Sequence, residues 1–554
     1  MTERRSDLVR PRRGRVLVPA VVSGVGLALS LPPWGWWVLA FPAAGLLWWR
    51  LGGLRPRTRL WAGWLAGLGL YVPGLLWARS FTVPGALVLM AVEAAFTAVA
   101  CLAVPSGPVV ARVLAFPAAL TLAEAARTRW PFGGLPIGGV FLGQAGGPVL
   151  GVARVGGPLG LTLGVYLGGA GLAALAEAVV VAVRDGVRIR AFARVDLGSG
   201  SHSGTGTGTG TGNKDDRAHM LSGAVAGIGP RLIVGSVAVA IVMAAAVVAD
   251  HAPDGGGSVG AVSTAAVQGG GARGLRKSQI DPAVVLAAQQ DETRVLQQQD
   301  HGTAPSLVLW PEDVVSLPVV LAGSPEEPVL SGLARTLHTT LVVGVTETVS
   351  STAFRNEIVA WGPDGTLVAR FEKVHRVPFG EYVPYRGFFA HLGNLSGVPL
   401  DAIPGTGTGL MNTPVAPLGA MVSYEVFYAD RGRSSVRAGA QLLIVPTNTS
   451  SYATAQVPTQ EIAASEIQAV EQGRDLLQAA PTGYSAAITN RGTLLQRSVL
   501  GAPQIVAATL QRRVGWTVYV RYGDVPPLAL AALAVLGGWI VAGRRRRPGV
   551  VRYS

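Results

Sequence analysis

The chain has 554 residues, of which 49% are hydrophobic and only 14% charged, and its formal net charge is +14. With a mean hydropathy of +0.40, that balance excludes an ordinary soluble globule. A single cysteine excludes an intrachain disulfide, a cysteine-rich zinc site and CxxC redox chemistry.

In chain order, apolar runs come first. Crossing about 30 Å of hydrocarbon takes roughly 20 apolar residues, and eight such spans are predicted: 15–31, 35–51, 59–78, 84–104, 107–126, 157–183, 230–249 and 526–543. The first two share the Pro32–Pro33 break. The basic-then-apolar start resembles a secretory signal, but further spans follow, so the first helix is expected to be retained. Cys101, inside VACLAV, reads as membrane-helix packing. Residues 198–213, GSGSHSGTGTGTGTGN, read as a disordered cytoplasmic loop. They lack the GxxxxGK[ST] spacing of a phosphate loop.

The basic residues are not one patch. They gather at 1–15, 55–59, 184–194 and 544–552. With the N-terminus cytoplasmic, an eight-helix path puts all four clusters on the cytoplasmic side. Arg127 and Arg129 run against the rule. The charge is therefore read as membrane topology, with no nucleic acid as partner. The same path splits the chain into a seven-helix bundle (1–250), an extracytoplasmic domain (251–524), and a C-terminal helix with a basic cytoplasmic tail (525–554). APDGGGSVG (252–260) is a flexible joint.

Within the outer domain strand and helix patterns interleave. Strands are expected at 261–269, 305–310, 340–347, 356–374 (a hairpin), 418–425, 440–447 and 484–495. Helices are expected at 282–299, 325–338, 427–438 and 458–479. Alternation of this kind predicts an α/β sandwich with helices covering the sheets.

Three stretches put reactive side chains at the C-terminal ends of apolar strands: VLWPED with Glu312, RFEKVHRVPFGEYVPYRG with Lys373 and Glu381, and VSYEVF with Ser423. A carboxylate to take a proton, an ammonium to steady an oxyanion and a nucleophile to carry an acyl group suffice for acyl transfer. Buried ion pairs are the alternative that spacing alone leaves open. No metal-ligand spacing appears among the seven histidines, so neither a metal nor another cofactor is expected.

In order and context, Glu312, Lys373 and position 423 resemble the Glu–Lys–Cys triad of the nitrilase (carbon–nitrogen hydrolase) superfamily. VPFGEYVP, with AVQGG, FRNEIVAWGPDG, SYEV, AVEQGRDLLQAAPTGYSA, RYGD and ALTLAEAARTRWPFGGLPIGG, narrows the resemblance to the apolipoprotein N-acyltransferase family over nearly the whole chain. The resemblance implies a polytopic α-helical membrane bundle with an extracytoplasmic αββα sandwich, in a bacterial inner membrane. It implies transfer of an acyl chain from a membrane phospholipid, through an acyl-enzyme, to the amine of a diacylglyceryl-cysteine apolipoprotein. Glu312 is then the general base, Lys373 the oxyanion stabiliser and Glu381 its support. Tyr424 and Glu425 shape the site against substrate. Asn356 and Arg474 lie in family-like stretches that equally suit structural hydrogen bonding.

Ser423 stands where the family has cysteine. A thiol ionises near pH 8.5, whereas a hydroxyl depends on a well-placed base, and an oxyester is less readily attacked by amines than a thioester. PTNTSSYATA (446–455) also departs from the family's aromatic-glycine stretch. A weakly active or inactive homologue that binds lipid or lipoprotein, or partners a membrane glycosyltransferase such as a polyprenol-phosphate mannosyltransferase, remains the alternative. An amidase acting on small substrates would have no need of the bundle.

Overall fold

The computed structural model describes residues 14–198, 212–271, 280–299, 304–391, 395–452 and 454–544. The Gly/Thr-rich loop expected at 198–213 lies, at 199–211, outside them. Seven helices come first: α1 (Gly14–Ser30), α2 (Ala40–Leu51), α3 (Pro56–Gly74), α4 (Val83–Ala103), α5 (Val109–Arg127), α6 (Ala153–Gly198) and α7 (Gly212–Asp250). Small residues bring them close. A Cβ on Gly67 of α3 would stand 2.6 Å from the Ala94 Cα of α4, and such approach is what holds helices together where lipid removes the hydrophobic driving force. Among the described residues, five segments are long and apolar enough to cross a membrane: Val83–Ala103, Val109–Arg127, Leu150–Asp185, Gly227–Asp250 and Val525–Arg544. The first two helices are apolar but shorter.

The two arginines that break the charge pattern are neutralised. Arg127, buried, pairs with Glu93 at 3.2 Å and Glu124 at 2.9 Å, and Arg129 pairs with Asp524.

The domain that follows runs β1 (Ser258–Gln268), α8 (Pro282–Gln299), β2 (Leu307–Leu309), β3 (Val315–Leu317), α9 (Glu326–Leu337), β4 (Thr340–Thr348), β5 (Ala353–Trp361), β6 (Leu367–Glu372), α10 (Arg386–Ala390), β7 (Asp401–Ala402), β8 (Leu410–Asn412), β9 (Pro417–Ala420), α11 (Ala429–Arg437), β10 (Leu442–Pro446), α12 (Gln456–Gln472), β11 (Leu476–Ala479), β12 (Ala486–Ile488), β13 (Leu494–Arg497) and β14 (Gln504–Arg513). Short α13 (Val518–Tyr522) leads into α14 (Val525–Arg544), which packs on α5.

One sheet has the order β14-β1-β2-β4-β5-β6, with β3 on β4 and β7 on β5; the other is β13-β12-β11-β10-β9-β8. Alternation along β1 shows the layering. Val262 and Ala266 enter the core between the sheets, with Leu309, Ile358, Leu418, Ile444 and Leu477. Ala265 and Val267 face the opposite core, under α8 and α9. The second sheet's outer face packs on α11 and α12, and that core is continuous with the membrane bundle. The domain is thus an αββα sandwich in which one helix layer is wedged against the bundle.

Three sequence expectations are corrected. The strand expected at 418–425 stops at Ala420, because Ser423–Phe427 tighten into a 3₁₀ turn. The helix expected at 458–479 ends at Gln472, where Gly473 turns to φ +64, and β11 follows. The ten-residue β14, paired antiparallel with β1, was not anticipated.

Candidate active site

Glu312 follows β2, Lys373 follows β6, Glu381 lies in the turn beyond it, and Ser423 follows β9. The sheets bring the first three together. Lys373 Nζ donates to Glu312 Oε1 at 2.9 Å and to Glu381 Oε1 at 2.7 Å. Asn356 of β5 closes the ring: its Nδ2 donates to the same two oxygens at 2.8 and 2.9 Å. The second oxygen of Glu381 accepts from the Val377 backbone at 2.8 Å. Burial works against a charge on Lys373, whose exposure is 2%, but the two carboxylates outweigh it and hold the ammonium above the ordinary lysine range.

Ser423 sits on the other sheet. Its φ of +51 is left-handed, a conformation that costs a non-glycine residue about 1–2 kcal/mol and turns the side chain out of a run that is otherwise buried. Its hydroxyl lies 3.2 Å from the Thr447 hydroxyl at the end of the neighbouring parallel strand β10. Thr447 in turn donates to Glu461 Oε1 of α12 at 2.5 Å. Burial pushes the Glu461 carboxyl up to about 8, and Glu312 adds to the rise while Lys373 opposes it. The charges of the two sheets' clusters therefore feel one another.

Tyr424 and Glu425, expected at the substrate, each have internal partners. Glu425 is fully buried. Its Oε1 accepts from the Val374 and His375 amides at 2.8 and 3.0 Å, and its Oε2 from the Val422 amide at 2.9 Å. One carboxylate thus fastens the residue before Ser423 to the residues after Lys373. Tyr424 donates its hydroxyl to the Gly134 carbonyl at 2.9 Å, and Tyr428 does the same at 3.0 Å. Gly134 has φ +87, and a Cβ there would collide with the Thr128 backbone, so the close approach needs glycine.

The loop after Thr447 is anchored on the bundle, with Tyr452 edge-on to Trp77 and Phe81 at centroid distances of 5.3 and 5.7 Å. Arg474 serves backbone carbonyls of Ala440, Gly473 and Gly515, the structural option left open for it. Asn356 belongs to the acidic cluster. Sequence reasoning missed Thr447 and Glu461, and no motif announces either.

Two family models match: the apolipoprotein N-acyltransferase N-terminal domain over residues 23–171 and carbon–nitrogen hydrolase over residues 306–516. Among curated relatives, the apolipoprotein N-acyltransferase of Mycolicibacterium smegmatis is 30% identical, the match covering 97% of this chain and 87% of that protein. The chain belongs to the apolipoprotein N-acyltransferase family. A second member, from Allorhizobium ampelinum, is 28% identical across 88% of this chain and 89% of its own length. The one from Geobacter metallireducens is 30% identical over 43% of this chain and 45% of its own length. Family membership and the five apolar segments make this a membrane protein with an acyltransferase- or hydrolase-type domain.

Proposed function

We propose that this member of the apolipoprotein N-acyltransferase family moves a fatty acyl chain from a phospholipid to Ser423, then to the terminal amine of a diacylglyceryl-cysteine lipoprotein. The observation that carries the reading is a lysine held between two carboxylates and a left-handed, half-buried Ser423, the segments that bear them fastened together by Glu425. In this reading Glu312 acts as general base, Lys373 offers its charge to the developing oxyanion, and Glu381 and Asn356 fix the lysine. Glu425 and Tyr424 brace the site without touching substrate.

The domain stands on the outer face of a bacterial inner membrane, with eight helices crossing and both termini cytoplasmic. What supports this is polarity along the bundle. Gln456 and Gln460 of the domain bond to the chain at Pro73, Gly74, Trp77 and Gly138, whereas the arginines at 55–59 and Arg544 lie at the opposite ends of their helices.

The test is direct. The purified protein is incubated with phospholipid and the Ser423 peptide is weighed. One fatty acyl chain of added mass is expected, lost in Ser423→Ala and increased in rate in Ser423→Cys. An unacylated Ser423, beside a cysteine-containing relative that acylates in the same assay, would remove the serine-enzyme reading.

A further inference from the structure

Ser423 has one hydrogen-bond partner for its hydroxyl among the described residues, and it is Thr447. Glu312, the family's base, spends one oxygen on Lys373 and Asn356. Behind Thr447 stands a buried carboxylate, 1% exposed, whose second oxygen has no hydrogen-bond partner. On the same helix Gln460 and Gln468 bond to backbone groups of the bundle and of the turn after Ser423, whereas Glu461 accepts from the Thr447 hydroxyl.

Resting on the acyl-enzyme reading, we infer that Glu461, acting through the Thr447 hydroxyl, receives the Ser423 proton when the serine attacks. Thr447 has one proton to give. While Glu461 is ionised, Thr447 donates to it and can only accept from Ser423, so the chain is polarised from nucleophile to carboxylate. When Glu461 is protonated the direction reverses, and a hydrogen bond is donated toward the Ser423 oxygen, which holds its own proton in place. In the forward step the Ser423 proton moves to Thr447 as the Thr447 proton moves to Glu461. The Ser423 Oγ–carbon bond forms, and the carbonyl electron pair moves to the oxygen beside Lys373. As that pair returns, the carbon–oxygen bond to glycerol breaks, and the glycerol oxygen takes the proton back along the same path. Glu312 stays free for the incoming amine. A thiol, part-ionised near neutrality, has less need of this path; an alcohol depends on it.

The groups whose charge reaches Glu461 are Glu312 and Lys373, from the opposite sheet, and Tyr452, from the loop over α12. Burial dominates, and the carboxyl sits at about 8. The relay is therefore off at acid pH and on above about pH 8.

The probe is a fluorophosphonate, which a nucleophilic serine attacks with loss of fluoride, applied to the full chain in detergent from pH 6 to 10. The readout is the labelling rate of the Ser423 peptide by mass. The wild type should rise with pH and level off above about pH 8. Glu461→Gln and Thr447→Val should be slower by roughly 10²–10⁴-fold at pH 8 and lack that rise, since this is the range a positioned base supplies. Thr447→Ser, which keeps a hydroxyl, should retain the profile. Glutamine matches the neutral form of Glu461, so folding below pH 7 is expected to be unchanged, checked by thermal unfolding.

Wild-type rate and profile in both Glu461→Gln and Thr447→Val would overturn the relay. Phospholipid acylation is measured in parallel. If phospholipid acylates Ser423 and Glu461→Gln changes nothing, the relay falls and the acyltransfer reading stands. If the probe labels with the Glu461-dependent rise but phospholipid leaves no mass, the relay stands and acyltransfer falls. Labelling by neither overturns both.

Discussion

Replacing Lys373 with methionine removes the cation and keeps the stem. Glu312 Oε1 and Glu381 Oε1, 2.9 and 2.7 Å from the same nitrogen, are then left roughly 5 Å apart with only Asn356 between them. At an effective permittivity of about 20, two charges at that separation repel by ~3 kcal/mol, and stripping one partner from a buried pair costs about 3–5 kcal/mol. One carboxylate should take up a proton in relief. We expect Lys373→Met to lower the unfolding temperature in detergent by several degrees and to cut Ser423 acylation by roughly 10²–10³-fold, the usual loss for an oxyanion donor. Adding Glu381→Gln removes one of the facing charges. The double variant should therefore recover most of the thermal loss and none of the acylation. That split separates holding the fold from doing chemistry. An unfolding temperature unchanged in Lys373→Met, with no recovery in the double variant, would refute the view that the ammonium reconciles the two acids.

Three further outcomes follow from the same geometry. Glu425→Gln puts an amide where three backbone N–H groups seek a carboxylate, and should cost about 2–3 kcal/mol and slow acylation although the residue is fully buried; urea unfolding with the mass assay would register both. Gly344→Ala would set a Cβ 2.5 Å from Glu312 Cα and against the Pro311 carbonyl. The Glu312 loop must shift, so acylation should fall at least tenfold, while wild-type activity in that variant would mean the loop gives freely. Tyr424→Phe and Tyr428→Phe each remove one hydrogen bond to Gly134, at about 1 kcal/mol apiece; together they should speed proteolysis near residues 130–137, and equal cleavage rates would count against the linkage.

How much was legible in the sequence depended on how locally each feature is encoded. The 282–299 helix and the 356–374 hairpin appear where their patterns put them, because amphipathic spacing and the PDG turn act over a few residues. The acids and the lysine of the cluster were visible through their strand-end setting and the family likeness. α12 was expected as a helix, but its end and its buried contacts were not legible, since it is buried almost all round yet carries Gln456, Gln460, Glu461, Glu466, Gln468, Glu471 and Gln472, with no apolar stripe to read. Gln456 and Gln460 are satisfied by carbonyls and amides hundreds of residues away, at Pro73, Gly74 and Gly138, and no local pattern reports such pairing. Thr447 and Glu461 were missed for the same reason. β14 escaped because QIVAATLQRR is half exposed and alternates weakly.

The customary division of a membrane enzyme into an anchor and a detachable working head does not hold here. The Gly134 carbonyl, which takes both tyrosine hydroxyls, hangs from a connection whose neighbouring carbonyls at Leu135 and Pro136 are gripped by Arg127. A fragment cut free at residue 251 would face water with Tyr424, Tyr428, Gln456 and Gln460 bereft of their mates. The turn bearing Ser423 would have lost its floor, so the lipid-embedded half is a working part of the machine and not merely its mooring.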